Sequence, residues 1–150
     1  MHIESRAAQY LLTAGALLFL LGLLGGFAIP DMVNPRMGLS AHLEGVLNGM
    51  FLMLVGLAWS RLRLSSRLSV LAYGLLLYGA FANWLFITLA AIFGTIALTP
   101  IAGAGHTGSA WQESLVAAGL ISVGVAMVLG GALLVLGFYR GIRVSPAPGA

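Results

Sequence analysis

Apolar residues in this chain gather into four long stretches, at about 10–29, 41–59, 70–98 and 115–139, joined by short polar connections. Each stretch matches or exceeds the roughly 20 residues that an α-helix needs to cross a hydrocarbon core. None has the alternating polarity of a barrel strand. Lipid offers no partner to open backbone groups, so crossing segments must be helical. The pattern predicts an all-α, integral membrane four-helix transmembrane bundle with no separate soluble domain. The third stretch is the longest and is expected to tilt or project. The first follows Arg6 as a signal peptide would. Its apolar run is too long for one, and no small-x-small cleavage site precedes a polar region, so a retained helix is expected.

Composition strengthens this picture. Hydrophobic residues make up 60% of the 150 and charged residues 7%, against about a quarter charged in soluble domains. There is no cysteine, which excludes disulfides and thiolate metal sites. Seven arginines stand against four acids. That excess is too sparse to suggest nucleic acid, but its distribution is informative. Arg6, Arg61, Arg63, Arg67, Arg140 and Arg143 fall on one side of a four-crossing chain, and only Arg36 falls on the other. The positive-inside rule then predicts that both termini are cytoplasmic. The segment 144–150, with Pro146 and Pro148, is expected to be disordered.

Glycine is abundant, with 21 residues, and it is patterned. Gly15 and Gly22, Gly49 and Gly56, and Gly124 and Gly131 are seven apart; Gly22 and Gly26, and Gly45 and Gly49, are four apart. Such spacings make a groove along one helix face where another backbone can approach closely. For the first and fourth helices this predicts tight packing.

Ionisable groups inside a spanning segment are costly and each calls for a functional hypothesis. The first and fourth stretches have almost no polar residues beyond Thr13 and Ser122, whose hydroxyls can bond back to their own helix. The second differs. It opens Ala41-His42-Leu43-Glu44-Gly45-Val46-Leu47-Asn48-Gly49. At 100° per residue, Glu44 and Asn48 lie about 40° apart and His42 about 20° from Gly49. The polar and small residues therefore share roughly half the circumference, which suits a helix with one face to lipid and one lining a polar pocket. An antiparallel hairpin about the 61–67 connection sets Asn48 level with Asn83, about 12 Å below the outer surface. Such an asparagine pair alone can be interhelical glue. For His42 two readings stand, an interfacial wetted histidine and a haem ligand beside a glycine groove. His106 sits in a glycine-rich outer loop and is expected to be solvated, and His2 is terminal. Ser40 is the expected N-cap of the second helix, with Glu44 in its first turn complementing the dipole. Arg36 is expected to pair with Glu44, Asp31 or Glu113 over the pocket. Trp111 belongs to the interfacial belt.

The run from Asn34-Pro35-Arg36 through His42-Leu43-Glu44 to Asn48-Gly49 resembles the bacterial hydroxylaminobenzene mutases. So do Tyr78-Gly79-Ala80-Phe81-Ala82-Asn83-Trp84, Pro100-Ile101-Ala102-Gly103 and Trp111-Gln112-Glu113. A more distant resemblance is to the styrene oxide isomerases, through His42 followed by Asn48-Gly49-Met50. The glycine groove beside a haem at His42 would be that of Gly45 and Gly49; the resemblance implies haem b ligated by His42, a substrate contact from Asn48, a counterpart for Asn83, and a trimer. A functional tyrosine of the isomerases is replaced here by Ile87, which favours the mutase reading over epoxide isomerisation.

The implied reaction converts an aryl hydroxylamine to the 2-aminophenol, a step of nitroaromatic degradation that consumes no redox equivalents. Glu44 would manage the proton, with Asn48 and Asn83 orienting nitrogen or stabilising charge. Two other classes compete. A non-enzymatic haem- or quinone-binding subunit predicts redox cycling with a partner protein. A transporter would show repeats or broken helices at mid-membrane, and this chain has neither.

Overall fold

The computed structural model describes residues 3–144, with side chains over 6–142, and His2 and residues 145–150 lie outside the described part. Among the described residues five α-helices follow one another: α1 (Ile3–Phe27), α2 (Pro35–Ala58), α3 (Ser66–Phe93), the single-turn α4 (Pro100–Gly103) and α5 (Ala110–Val144). All but α4 are long and apolar enough to cross a membrane. No strand occurs among the described residues.

Two boundaries differ from the hydrophobic pattern, each for a local reason. The second helix begins at Pro35 rather than near Ala41. Asn34 is its N-cap, its side chain accepting from the Met37 N–H at 3.1 Å, and Pro35 occupies the first helical position, where a missing N–H costs nothing. Ser40 is therefore inside α2, its hydroxyl donating to the Arg36 carbonyl at 3.4 Å. Glu44 loses its place in the first turn. It lies nine residues in, about 14 Å along the axis from Pro35, so the dipole no longer accounts for it. The third helix stops at Phe93 rather than 98, because Gly94 takes a left-handed conformation (φ 68°) and donates to the Ala90 carbonyl, a common helix ending. The apolar residues beyond it become loop.

That loop is fastened to the helices by two side chains. Asn34 is only 1% exposed. Its Nδ2 donates to the carbonyls of Ala102 (2.9 Å) and Gly103 (3.1 Å), and its backbone N–H donates to Ala91 (3.0 Å). Glu113, in the first turn of α5, accepts from the backbone N–H groups of Ile96, Ala97 and Gly108 at 2.9–3.1 Å. Arg36 is exposed. It pairs with none of Glu44, Asp31 or Glu113; no ion pair involving it exists among the described residues.

The long helices pack in chain order, α1 on α2, α2 on α3 and α3 on α5, with a smaller contact between α1 and α3. Among the described residues α1 and α5 do not meet. The fold is thus a helical bundle whose close backbone contacts follow the order α1, α2, α3, α5. Its closest seam joins α1 to α2. A Cβ at Gly49 would lie 2.5 Å from the Phe19 amide nitrogen, and one at Gly22 2.6 Å from the Val46 nitrogen. The α3–α2 side is filled by Leu52, Val55, Leu76 and Ala80. Arg61, Arg63, Arg67 and Arg140 gather at one end, where the Arg63 N–H donates to the Gly137 carbonyl at 3.0 Å.

The glycine seam predicts a contrast in stability. Gly49→Val should separate α1 from α2 and cost about 1–3 kcal/mol or more, as overpacking does. Gly131→Ala, with nothing within 4 Å of the added carbon, should be neutral or mildly stabilising. Thermal melting in detergent checks both; equal melting temperatures would mean the seam is not close-packed.

Candidate active site

One turn of α2 and one position of α3 supply the polar cluster. Glu44 Oε2 accepts from Asn48 Nδ2 at 3.1 Å, along the same helix, and from Asn83 Nδ2 at 2.6 Å, across the α2–α3 seam. The i, i+4 spacing puts Glu44 and Asn48 on one face, and the hairpin register brings Asn83 opposite. The expected asparagine pair is thus bridged by the carboxyl group and not joined directly. Asn48 is buried at 9% exposure, while Glu44 and Asn83 are half-buried. Glu44 Oε1 has no hydrogen-bond partner among the described residues. The cluster straddles the middle of α2, deeper than the 12 Å expected, because the helix starts six residues earlier.

His42 does not join it. Its ring turns to the other side of α2, where Nδ1 lies 2.8 Å from the Gly22 carbonyl of α1. A carbonyl can only accept, so Nδ1 is the donor, and in the neutral ring this tautomer has the lone pair on Nε2. A Cβ at Gly26 would come within 2.9 Å of this ring, so the glycine makes room for the imidazole. His42 borders a shallow groove of about 620 Å³ along α1, with Leu20, Leu23, Leu24, Phe27 and Leu39. The four site residues therefore form two sets on opposite flanks of α2.

Gly45 and Gly49 were expected beside a cofactor. Within the chain their space is taken. A Cβ at Gly45 would lie 2.5 Å from Gly22 Cα and 2.9 Å from Trp84 Cδ1, and Gly49 faces the Phe19 and Gly15 backbone. These glycines bring α1 onto α2, and only Gly26 faces the histidine. Sequence reasoning missed Asn34 as the residue that fixes the start of α2; the Asn-Pro pair ahead of an apolar run was the available signal. It also missed the bond between Tyr78 Oη and Ser122 Oγ (2.6 Å), which ties α3 to α5. His106 is half-buried against Gly94 and takes no part in the cluster.

Among the described residues no group of three or more His, Cys, Asp or Glu could hold a metal ion. A metal at His42 would have to arrive with its other ligands already supplied.

Comparison with known proteins settles the lineage. The styrene oxide isomerase family profile matches residues 7–139. The chain belongs to this family. Hydroxylaminobenzene mutase HabB of Ectopseudomonas oleovorans is 50% identical over 145 residues, covering 96% of this chain and 86% of HabB. Hydroxylaminobenzene mutase HabA of the same organism is 41% identical over 132 residues, covering 87% of this chain and 98% of HabA. No solved structure matches significantly. As a styrene oxide isomerase family member with mutase relatives, the chain is an isomerase-type enzyme. That decides against the non-enzymatic carrier and the transporter.

Because both asparagines hold one oxygen, their effects should not add. Asn48→Ala and Asn83→Ala should each cost about 0.5–2 kcal/mol, and the double variant should depart from their sum by at least about 0.5 kcal/mol. Melting of the four proteins in detergent gives the cycle; strict additivity would mean the two do not share Glu44.

Proposed function

We propose that this chain is a membrane-bound mutase that converts hydroxylaminobenzene-type aryl hydroxylamines to 2-aminophenols, moving the hydroxyl from nitrogen to the ortho ring carbon within one molecule. The observation that carries this reading is the Glu44 carboxyl group, held through one oxygen by Asn48 and Asn83 with its other oxygen free. In the rearrangement the N–O bond breaks, a C–O bond forms at the ortho carbon, and the proton on that carbon ends on nitrogen; such a group can take the ring proton and deliver it to nitrogen, so the isomerisation balances without an external acid or base. The asparagine amides fix its direction and leave their own oxygens to orient the substrate nitrogen. The apolar helices around them keep bulk water from trapping the activated ring. Mutase names on relatives at 50% and 41% identity support the substrate class.

Haem b is the cofactor in this proposal. His42 fits the role of its protein ligand: the Gly22 carbonyl fixes the tautomer that leaves Nε2 free, as carbonyl partners do for metal-bound histidines. The adjoining apolar groove suits a flat macrocycle, which brings four of its own ligands where the protein offers one. Bound there, ferric haem would supply a Lewis acid for the N–O oxygen.

Helix α2 stands between His42 and Glu44, about 160° apart around its axis, so one substrate cannot reach both within a chain. A homotrimer, which the sequence resemblance implies, would let the His42 flank of one copy face the Glu44 flank of the next. Both termini would lie in the cytoplasm, with the arginine-bearing end inward.

A second reading has its own support. The family profile is that of the styrene oxide isomerases, so epoxide isomerisation is the competing activity. Against it, Ile87, one turn beyond Asn83, is an apolar residue packed with Met37, Ala90 and Val116.

Assay of the purified protein with phenylhydroxylamine and with styrene oxide separates the two readings: turnover of the first and not the second is expected. Glu44→Gln should lower kcat about 100-fold or more with the protein still folded; near-normal turnover would remove Glu44 from the mechanism. The wild-type protein should show a Soret band that His42→Ala abolishes. Full activity in iron-free protein would sink the haem proposal.

A further inference from the structure

A second apolar groove of about 280 Å³ lies between α3 and α5, lined by Leu71, Leu75, Leu129, Ala132, Leu133 and Leu136. Beside it Gly130 brings α5 close to α3: an added Cβ would lie 3.0 Å from Leu76 Cδ2 and 3.5 Å from Leu75 Cβ. The groove runs along both helices, and each carries an arginine at the same end of it. Arg67 precedes Leu71 by four residues on α3, and Arg140 follows Leu136 by four on α5. Four-residue spacing keeps each guanidinium on the groove's own face. From Arg67 to Leu75 the helix rises about 12 Å, a length suited to the upper part of an acyl chain. Both arginines are exposed and, among the described residues, neither forms an ion pair. Three of the four acids, Asp31, Glu44 and Glu113, lie well away from this end of the helices.

We propose that this groove is a specific site for an anionic phospholipid, with one acyl chain between α3 and α5 and the phosphate bridged by Arg67 and Arg140. The chemistry at the two ends matches one molecule. Guanidinium groups bind phosphate through paired N–H donors, and basic clefts between membrane helices on the cytoplasmic side capture anionic headgroups. A second copy of this chain is a poor occupant. Sharing the membrane orientation, it would bring its own arginines to the same depth, and like charges would repel. The site is independent of the reaction proposed above, since its lining shares no residue with either flank of α2.

Native mass spectrometry of the full-length protein in detergent tests this, titrating phosphatidylglycerol against phosphatidylcholine with the same acyl chains. The wild-type protein should bind phosphatidylglycerol at least tenfold more tightly. Arg67→Gln with Arg140→Gln should abolish that preference and leave phosphatidylcholine binding unchanged; Arg140→Gln alone serves if the double variant is not monodisperse. Ala132→Trp, which fills the groove from its exposed side, should weaken both lipids several-fold. Absence of headgroup preference in the wild type, its survival in the arginine variants, or undiminished lipid binding in Ala132→Trp would each overturn the proposal.

Discussion

The approach of α1 to α2 through glycine sets the rotation of α2, and the placement of that helix's polar side chains follows from it. With Gly22 against Gly45, and Gly49 against Phe19, the two backbones come so close that α2 has one allowed facing. In that facing His42 meets the Gly22 carbonyl and Glu44 is carried round toward α3. In lipid, where helices gain nothing by hiding apolar surface from water, such close van der Waals packing is a main source of association. Here it also decides which chemistry lies on which flank.

The cost of a carboxyl group at this depth explains the company it keeps. An unpartnered Glu in hydrocarbon would be strongly unfavourable. Two amide donors from different helices relieve part of that cost at one oxygen and leave the other uncommitted. A group held in this way is fixed in direction with one oxygen left open, the arrangement that the proposed proton transfer requires. The same two bonds lock α2 to α3 and so couple the site to the stability of the seam.

The outer loops show a different economy. Asn34 and Glu113 each satisfy several backbone groups that would otherwise be orphaned where helices end. Through them the loop after α3 is tied both to the start of α2 and to the start of α5. Glu113 resembles Glu44 in the sequence, as an acid near the end of an apolar stretch. Only their partners separate them, backbone N–H groups for one and side-chain amides for the other.

Four crossing helices were legible from hydrophobicity alone, because the bilayer demands about 20 apolar residues per span and accepts no open backbone. The lineage was legible too, in the runs around His42 to Gly49 and Tyr78 to Trp84. The i, i+4 pairing of Glu44 with Asn48 and the level of Asn83 followed from helical periodicity and a short connection. Periodicity fixes angles within one helix, however, and not which neighbour each angle faces. Half of α2's circumference looked like a single polar wall, and only packing divided it between α1 and α3, parting His42 from Glu44. Hydrophobicity likewise placed the start of α2 at Ala41 and the end of α3 at Leu98. The true ends are set by an asparagine cap and a left-handed glycine, local hydrogen bonds to which an apolar average is blind.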